Sequence, residues 1–204
     1  MKFLDTDQKY AVEDQLNWIL LKTYQIELHL NALIYLSNLM PEKHIHHYLS
    51  SSLIDTHYRL VLIDSTILLK QNNKSDEKKP LKQMRCFFNE EKIDVTKPEV
   101  SQFLSDIDKF YKKSRHLMEK LPKTRNAMAA HEFNTLEQTK QHNENSIAFP
   151  VHLRLILEVR DVVARSYESL LDRKFENFEI DINLYQEIYK ASSNLLLIDN
   201  ANKI

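Results

Sequence analysis

Pro122-Lys123-Thr124-Arg125-Asn126-Ala127-Met128-Ala129-Ala130-His131-Glu132-Phe133 sets an arginine, a carboxamide and an imidazole around three alanines and a methionine. Most other apolar runs in the chain are built from leucine and isoleucine, so the small side chains here would let another backbone or a ligand approach closely. Proline lacks an N–H and biases the residue before it away from helical angles, so Pro122 is expected to end the preceding helix. A new helix is then expected near Thr124 or Asn126, both acceptable N-caps. That would put Arg125 at a helix N-terminus, where free N–H groups and the helix dipole favour an anion such as phosphate. His131 follows six positions later, about 120° farther round a helix. The two converge only if Arg125 reaches over the first turn or if a second copy of the chain supplies the missing group.

Outward from this stretch, the chain reads as helical throughout. Among its 204 residues there is no glycine, and its five prolines fall at 41, 80, 98, 122 and 150. Without glycine, turns needing positive φ are disfavoured, which argues against hairpin-rich folds and for long helices punctuated by proline. The first helix is expected from about Asp7 to Leu39, with Val12, Leu16, Ile19, Leu20, Ile26, Leu30, Leu33 and Leu36 as its apolar face and Trp18 and Tyr35 in the core or an interface. A second, from Glu42 to about Gln71, is expected to bury Leu49, Leu53, Leu60, Ile63, Ile67 and Leu68. The polar run 71–80 reads as a flexible linker, followed by a short helix near Leu81–Phe88.

Thr96-Lys97-Pro98-Glu99 has the form of a capping box with proline in the first turn. It is expected to open a helix to about Leu121 that buries Val100, Phe103, Leu104, Ile107 and Phe110. Residues 134–146 read as a polar loop that could cover the neighbouring site. An amphipathic helix from about Pro150 to Leu171, with an Arg154–Glu158 pair, and a last one from about Asp181 to Leu197 complete a single domain over 1–204.

Arg125, Asn126 and His131 in this setting resemble the signature of the HEPN domains, and among them the abortive-infection type of helical toxin. That signature is an arginine, then a polar residue, then a histidine four to six positions after the arginine. The resemblance covers roughly Ser50 to Leu171. It implies an all-α, HEPN-like bundle of up-down antiparallel helices, pairing as a homodimer that brings two motifs into one cleft. It also implies a metal-independent endoribonuclease of the phage-defence type, without cofactor, with RNA as substrate and an antitoxin protein as a possible partner. The residues suit that chemistry. Cleavage by 2′-hydroxyl attack needs proton transfer, for which an imidazole titrating near neutrality serves, and a cation for the phosphorane, for which a guanidinium serves. Asn126 would orient His131 or bind the phosphate or the 2′-hydroxyl. Some HEPN toxins carry, two positions after the histidine, a tyrosine that a partner nucleotidyltransferase modifies; Phe133 stands there, so that control is not expected.

The remaining features set bounds. A net charge of −1 gives no global basic field. Locally, Lys109, Lys112, Lys113, Arg115, Lys120 and Lys123 run toward Arg125 with Glu119 as the only acid among them, the pattern that contact with an RNA backbone needs. His44, His46 and His47 invite a metal reading, but His44 and His46 fall on different helix faces and no carboxylate or thiol completes the set. His57 with Asp55 and Asp64 is similar, and Tyr58, Arg59 and Asp64 could instead line a cleft. Cys86 is the only cysteine, which excludes an intrachain disulfide. The first residues, Met1-Lys2-Phe3-Leu4-Asp5, have no signal-peptide core, and no apolar run reaches membrane-spanning length, so a soluble cytoplasmic protein is expected. The rival reading is a non-catalytic HEPN-fold module that binds nucleotides, RNA or another protein.

Overall fold

A computed structural model describes residues 4–39, 47–69, 78–129 and 147–173, and among them every regular element is helical. The order is α1 (Thr6–Leu39), α2 (His47–Leu69), a 3₁₀ turn (Leu81–Gln83), α3 (Met84–Glu90), α4 (Pro98–Lys113), α5 (Arg115–Ala129) and α6 (Phe149–Leu171). The expected last helix, Asp181–Leu197, and the polar loop 134–146 lie outside the described residues, as do 71–77 of the expected linker.

Helix α1 is the organising element, packed against α2 on one side and α6 on the other. Its direction relative to each follows from paired side chains. Lys22 meets Asp64 and His29 meets His57, so α1 and α2 are antiparallel. Glu13 meets Arg173 just beyond α6 while Glu27 meets Arg160, so α1 and α6 are antiparallel too. Helix α5 covers a further face of α2, and α4 lies on α6. One apolar cluster runs through all of these elements, from Leu16, Ile26 and Leu30 of α1 to Phe88, Phe103 and Ile156.

The start of α1 is fixed by a reciprocal cap that the sequence reading missed. The Asp5 carboxylate accepts from the Gln8 N–H at 2.8 Å, and Gln8 Oε1 accepts from the Asp5 N–H at 3.3 Å. Two of the donors that a helix start leaves unpaired are thereby satisfied. The Gln8 side chain also donates to the carbonyls of Glu91 and Lys92, tying α1 to the end of α3. Farther along, buried Gln15 both donates to the Lys79 carbonyl and accepts from the Lys79 N–H. Residues 78–80 are therefore pinned to α1, with Pro80 buried, rather than free as the linker reading had them.

Three expectations are corrected here. First, the apolar face of α1 is buried as read, but α2 is turned. Leu53, Leu60 and Ile63 are 36%, 38% and 46% exposed, and Tyr58, Val61, Leu62, Leu68 and Leu69 take the core; the Leu49 side chain lies outside the described residues. Helix α2 carries apolar residues on more than one face, so periodicity cannot say which face its neighbours will cover. Second, Thr96 is not the N-cap of α4. Pro98 in the first turn makes Lys97 the cap, and the Thr96 hydroxyl and N–H bond back to the Asp94 carboxylate. Third, Glu158 takes Lys113 of α4 at 2.7 Å rather than Arg154.

The largest correction concerns Pro122. The chain turns at Ser114, between α4 and α5, and α5 then runs unbroken through Pro122 to Ala129. Pro122 is the eighth residue of α5, so its missing N–H deprives the Met118 carbonyl of its helical partner. Burial keeps the helix together nonetheless: Met118, Leu121 and Thr124 are all buried. Packing of these residues outweighs the local cost of a proline, roughly 3 kcal/mol in a helix interior. Pro122→Ala is accordingly expected to stabilise the protein by about 2 kcal/mol, the helical gain less the chain entropy that proline removes from the unfolded state. Urea unfolding measures this, and a loss of stability would mean that α5 does not continue through residue 122.

In a chain without glycine, left-handed backbone positions fall to other residues. Lys92, at φ 55°, follows α3, where the Ile93 N–H donates to the Phe88 carbonyl and the Lys92 N–H to that of Asn89. These two bonds form a Schellman ending, with Ile93 and Phe88 buried beneath it. A side chain at such a position costs on the order of 1 kcal/mol, so Lys92→Gly is expected to raise the unfolding free energy by about 0.5–1 kcal/mol.

Candidate functional site

Arg125 is the eleventh residue of α5. It is therefore not at a helix N-terminus, and the anion-binding end expected there is absent. What the structure provides instead is a braced side chain. The guanidinium of Arg125 donates from Nε at 3.3 Å and from Nη2 at 3.1 Å to Oδ1 of Asn126. Neighbouring helical side chains do not ordinarily face each other, and the contact exists because the long arginine fork folds back over an exposed carboxamide. One edge of the fork is occupied by Asn126, and the Nη1–Nη2 edge has the geometry to grip two oxygens of a phosphate. Just inside, the buried Thr124 hydroxyl donates to the Lys120 carbonyl at 3.0 Å. His131 lies outside the described residues.

Continuity of α5 also decides how the lysines stand relative to Arg125. At about 100° per residue, Lys123 is about 160° and Lys120 about 140° round the helix from Arg125. The residue positions of Met118 and Leu121, which are buried, lie within about 40° of Arg125, so the arginine sits on the edge of the inner face, while Lys123 is exposed and Lys120 is half-buried on the far flank. Of the rest, Lys113 is bound to Glu158, Arg115 to Glu119 at 3.0 Å and Lys109 to Asp106 at 3.0 Å, and Lys112 is exposed. The basic run is thus split over two helices, part of it is neutralised by ion pairs, and its α5 members Lys120 and Lys123 do not share a face with Arg125.

The residues considered as neighbours of the site resolve differently. The Asp55 carboxylate accepts from Arg59 Nε at 2.7 Å, and Asp64 accepts from Lys22 at 2.9 Å. Tyr58 is buried with its ring edge-on to Phe149 at 5.4 Å, and burial pushes its hydroxyl up to about 12 against a hydrogen bond from the Ile147 N–H. Tyr58 therefore anchors the chain where it enters α6. Among the described residues no three His, Cys, Asp or Glu side chains converge as a metal site, and His44 and His46 lie outside them.

Sequence reading missed the polar groups in the seams of α1. His29 Nδ1 stands 2.9 Å from His57 Nδ1 across the seam with α2. Burial lowers both pKa values; the Asp64 charge partly offsets this at His29, and the His29 charge adds to it at His57. On the opposite side, Glu27 accepts from Arg160 at 2.7 Å, and its burial raises the carboxyl pKa more than the arginine lowers it. His152 of α6 is fully buried, with Nε2 2.9 Å from the Ser65 hydroxyl and Nδ1 without a partner. The pairing His29–His57 was legible only as two histidines on helical stretches, since nothing in one sequence gives the register of two helices. Among the described residues no helix is long and apolar enough to cross a membrane. No family model, no curated protein and no solved structure matches the chain.

Proposed function

We propose that the protein is a HEPN-like, metal-independent endoribonuclease of the toxin or phage-defence type, acting as a homodimer. The observation that carries this reading is the Arg125–Asn126 brace, in which a carboxamide holds a guanidinium by its Nε–Nη2 edge at 3.3 and 3.1 Å, so that the Nη1–Nη2 edge is the one a phosphate would use. Arg125 binds and neutralises the phosphate. His131 accepts the proton of the 2′-hydroxyl as its oxygen attacks phosphorus, and a proton is returned to the leaving 5′-oxygen, giving a cyclic phosphate and a free 5′-hydroxyl. The spacing of Arg125 and His131 favours a site completed by a second copy, whose histidine can take the other proton step. Lys112, Lys113, Arg115, Lys120 and Lys123 serve, in this reading, as outer contacts to the RNA backbone, away from the cleaved phosphate. The test is cleavage of a mixed RNA pool in EDTA by the purified protein and by variants at Arg125 and His131.

A second reading, a non-catalytic module that binds another protein, is favoured by one observation. Leu21 of α1 and Leu53, Leu60 and Ile63 of α2 are all at least a third exposed, and exposed apolar side chains on two packed helices are suited to receive a partner helix. Under this reading His131→Ala leaves every RNA measurement unchanged, and the protein forms a stable hetero-complex.

A further inference from the structure

The His29–His57 contact is the one place among the described residues where two titratable side chains on different helices meet nitrogen to nitrogen. Their Nδ1 atoms are 2.9 Å apart and their ring centroids 5.1 Å apart. The centroid distance is close to the nitrogen separation plus two ring radii, so the rings meet head-on. That alignment suits a linear N–H···N bond. A metal ion would instead need both lone pairs to meet at a third point about 2.0–2.1 Å from each nitrogen. The bond fixes the tautomers: one ring carries its proton on Nδ1 and donates, and the other carries it on Nε2 and accepts.

The protonation chemistry is asymmetric. A first proton goes to the donor ring and turns the contact into an imidazolium–imidazole bond, which is stronger than the neutral one. A second proton sets N–H against N–H and two positive charges at bonding distance. We infer that His29 and His57 form a proton-operated latch between α1 and α2, closed with at most one proton on the pair and opened by the second. Because α5 rides on α2, opening loosens the α2–α5 pair from α1 as a unit. Among the described residues, the charges around the pair include Lys22 of α1 paired with Asp64 of α2 at 2.9 Å, Arg59 paired with Asp55 within α2, and Arg160 of α6 paired with Glu27 on another side of α1. Of these, Asp64 attracts a proton to His29.

Burial makes both histidines titrate lower in the folded chain than their ordinary value. The contact is therefore intact above about pH 6.5, the unfolded value, survives the first proton taken up below it, and is lost as pH falls further and the second proton binds. The test is a double-mutant cycle of His29→Gln and His57→Gln on the full chain, with unfolding constants measured at pH 7.5 and pH 5. The pair is expected to couple by about fivefold at pH 7.5, the worth of a net hydrogen bond, and by less at pH 5, as the second proton binds. Ring-nitrogen NMR of the unsubstituted protein keeps the question open to refutation if a variant does not fold. It should show one Nδ1–H and one Nε2–H ring above pH 7. Equal coupling at the two pH values, no coupling at pH 7.5, or two Nε2–H rings overturns the latch. So does an unfolding midpoint that EDTA lowers in the unsubstituted protein alone, since an ion rather than a proton would then join the rings.

Discussion

Arg125→Ala and His131→Ala are each expected to lower RNA cleavage in EDTA by about 10²–10⁴-fold, the range for loss of a positioned proton-transfer group or of a charge-stabilising donor. The arginine effect should come from geometry as well as charge. Asn126 holds Nε and Nη2 of Arg125, so Arg125→Lys, which keeps the charge but has no planar fork, should recover little of the activity. Asn126→Ala leaves the guanidinium unbraced and should cost less than either, roughly tenfold. Arg125 lies on the inner edge of α5 beside buried Met118 and Leu121, so circular dichroism and an unfolding curve must accompany each variant. If the folded variants cleave as the unsubstituted protein does, the ribonuclease reading fails, and the brace is only a surface contact of α5.

Acid should destabilise the protein through His152 by about 3 kcal/mol between pH 6.5 and pH 4. Burial alone pulls its pKa down to about 4, because no charge of opposite sign stands near enough to stabilise the imidazolium. The unfolded chain takes up a proton there near pH 6.5 and the folded chain does not until about pH 4. The stabilisation is thus fully present above pH 6.5 and is lost as pH falls toward 4, at about 1.36 kcal/mol per unit. A ring protonated on Nε2 would donate to Ser65 and leave Nδ1 as an unfilled acceptor rather than an unpaired donor, the less costly of the two arrangements, which favours that tautomer. His152→Gln keeps an amide N–H for Ser65 and does not titrate. Its unfolding free energy should therefore lose that slope, leaving the opposed contributions of His29 and His57, through which acid destabilises, and of Glu27, whose raised pKa makes acid stabilising. If the variant retains the full acid slope, the titration belongs to other groups.

How far these features could be read in advance depends on which residues carry them. Helix α1 was legible almost to the residue, because its apolar positions Val12, Leu16, Ile19, Ile26, Leu30 and Leu33 recur at helical spacing and all six are buried. The start and core face of α4 were legible for the same reason, with Pro98 in its first turn, but its end at Lys113 was not, since the expected helix ran to about Leu121. On α2 the same reasoning was right for Leu68 and wrong for Leu53, Leu60 and Ile63, since apolar residues lie on more than one face of the helix and only the positions of α1 and α5 decide which are covered. At the candidate site, Arg125 and Asn126 were singled out from the sequence, but neither their contact with each other nor their setting within α5 was read. A proline in isolation ends a helix, and here Met118, Leu121 and Thr124 bury enough surface to carry α5 past it.

The sequence by itself therefore determined the class of the fold. The absence of glycine, the proline spacing and the period of the apolar residues leave helices as the consistent solution, and these are local properties of the chain. Tertiary structure alone decided the register of α1 against α2 and α6, and with it the meetings of His29 with His57, Glu27 with Arg160 and Ser65 with His152. It also decided that Lys120 and Lys123 face away from Arg125. The physical reason is common to all of these. Backbone periodicity is set within a few residues, whereas register and burial are set by the sum of contacts between elements far apart in sequence, and that sum can override any single local preference.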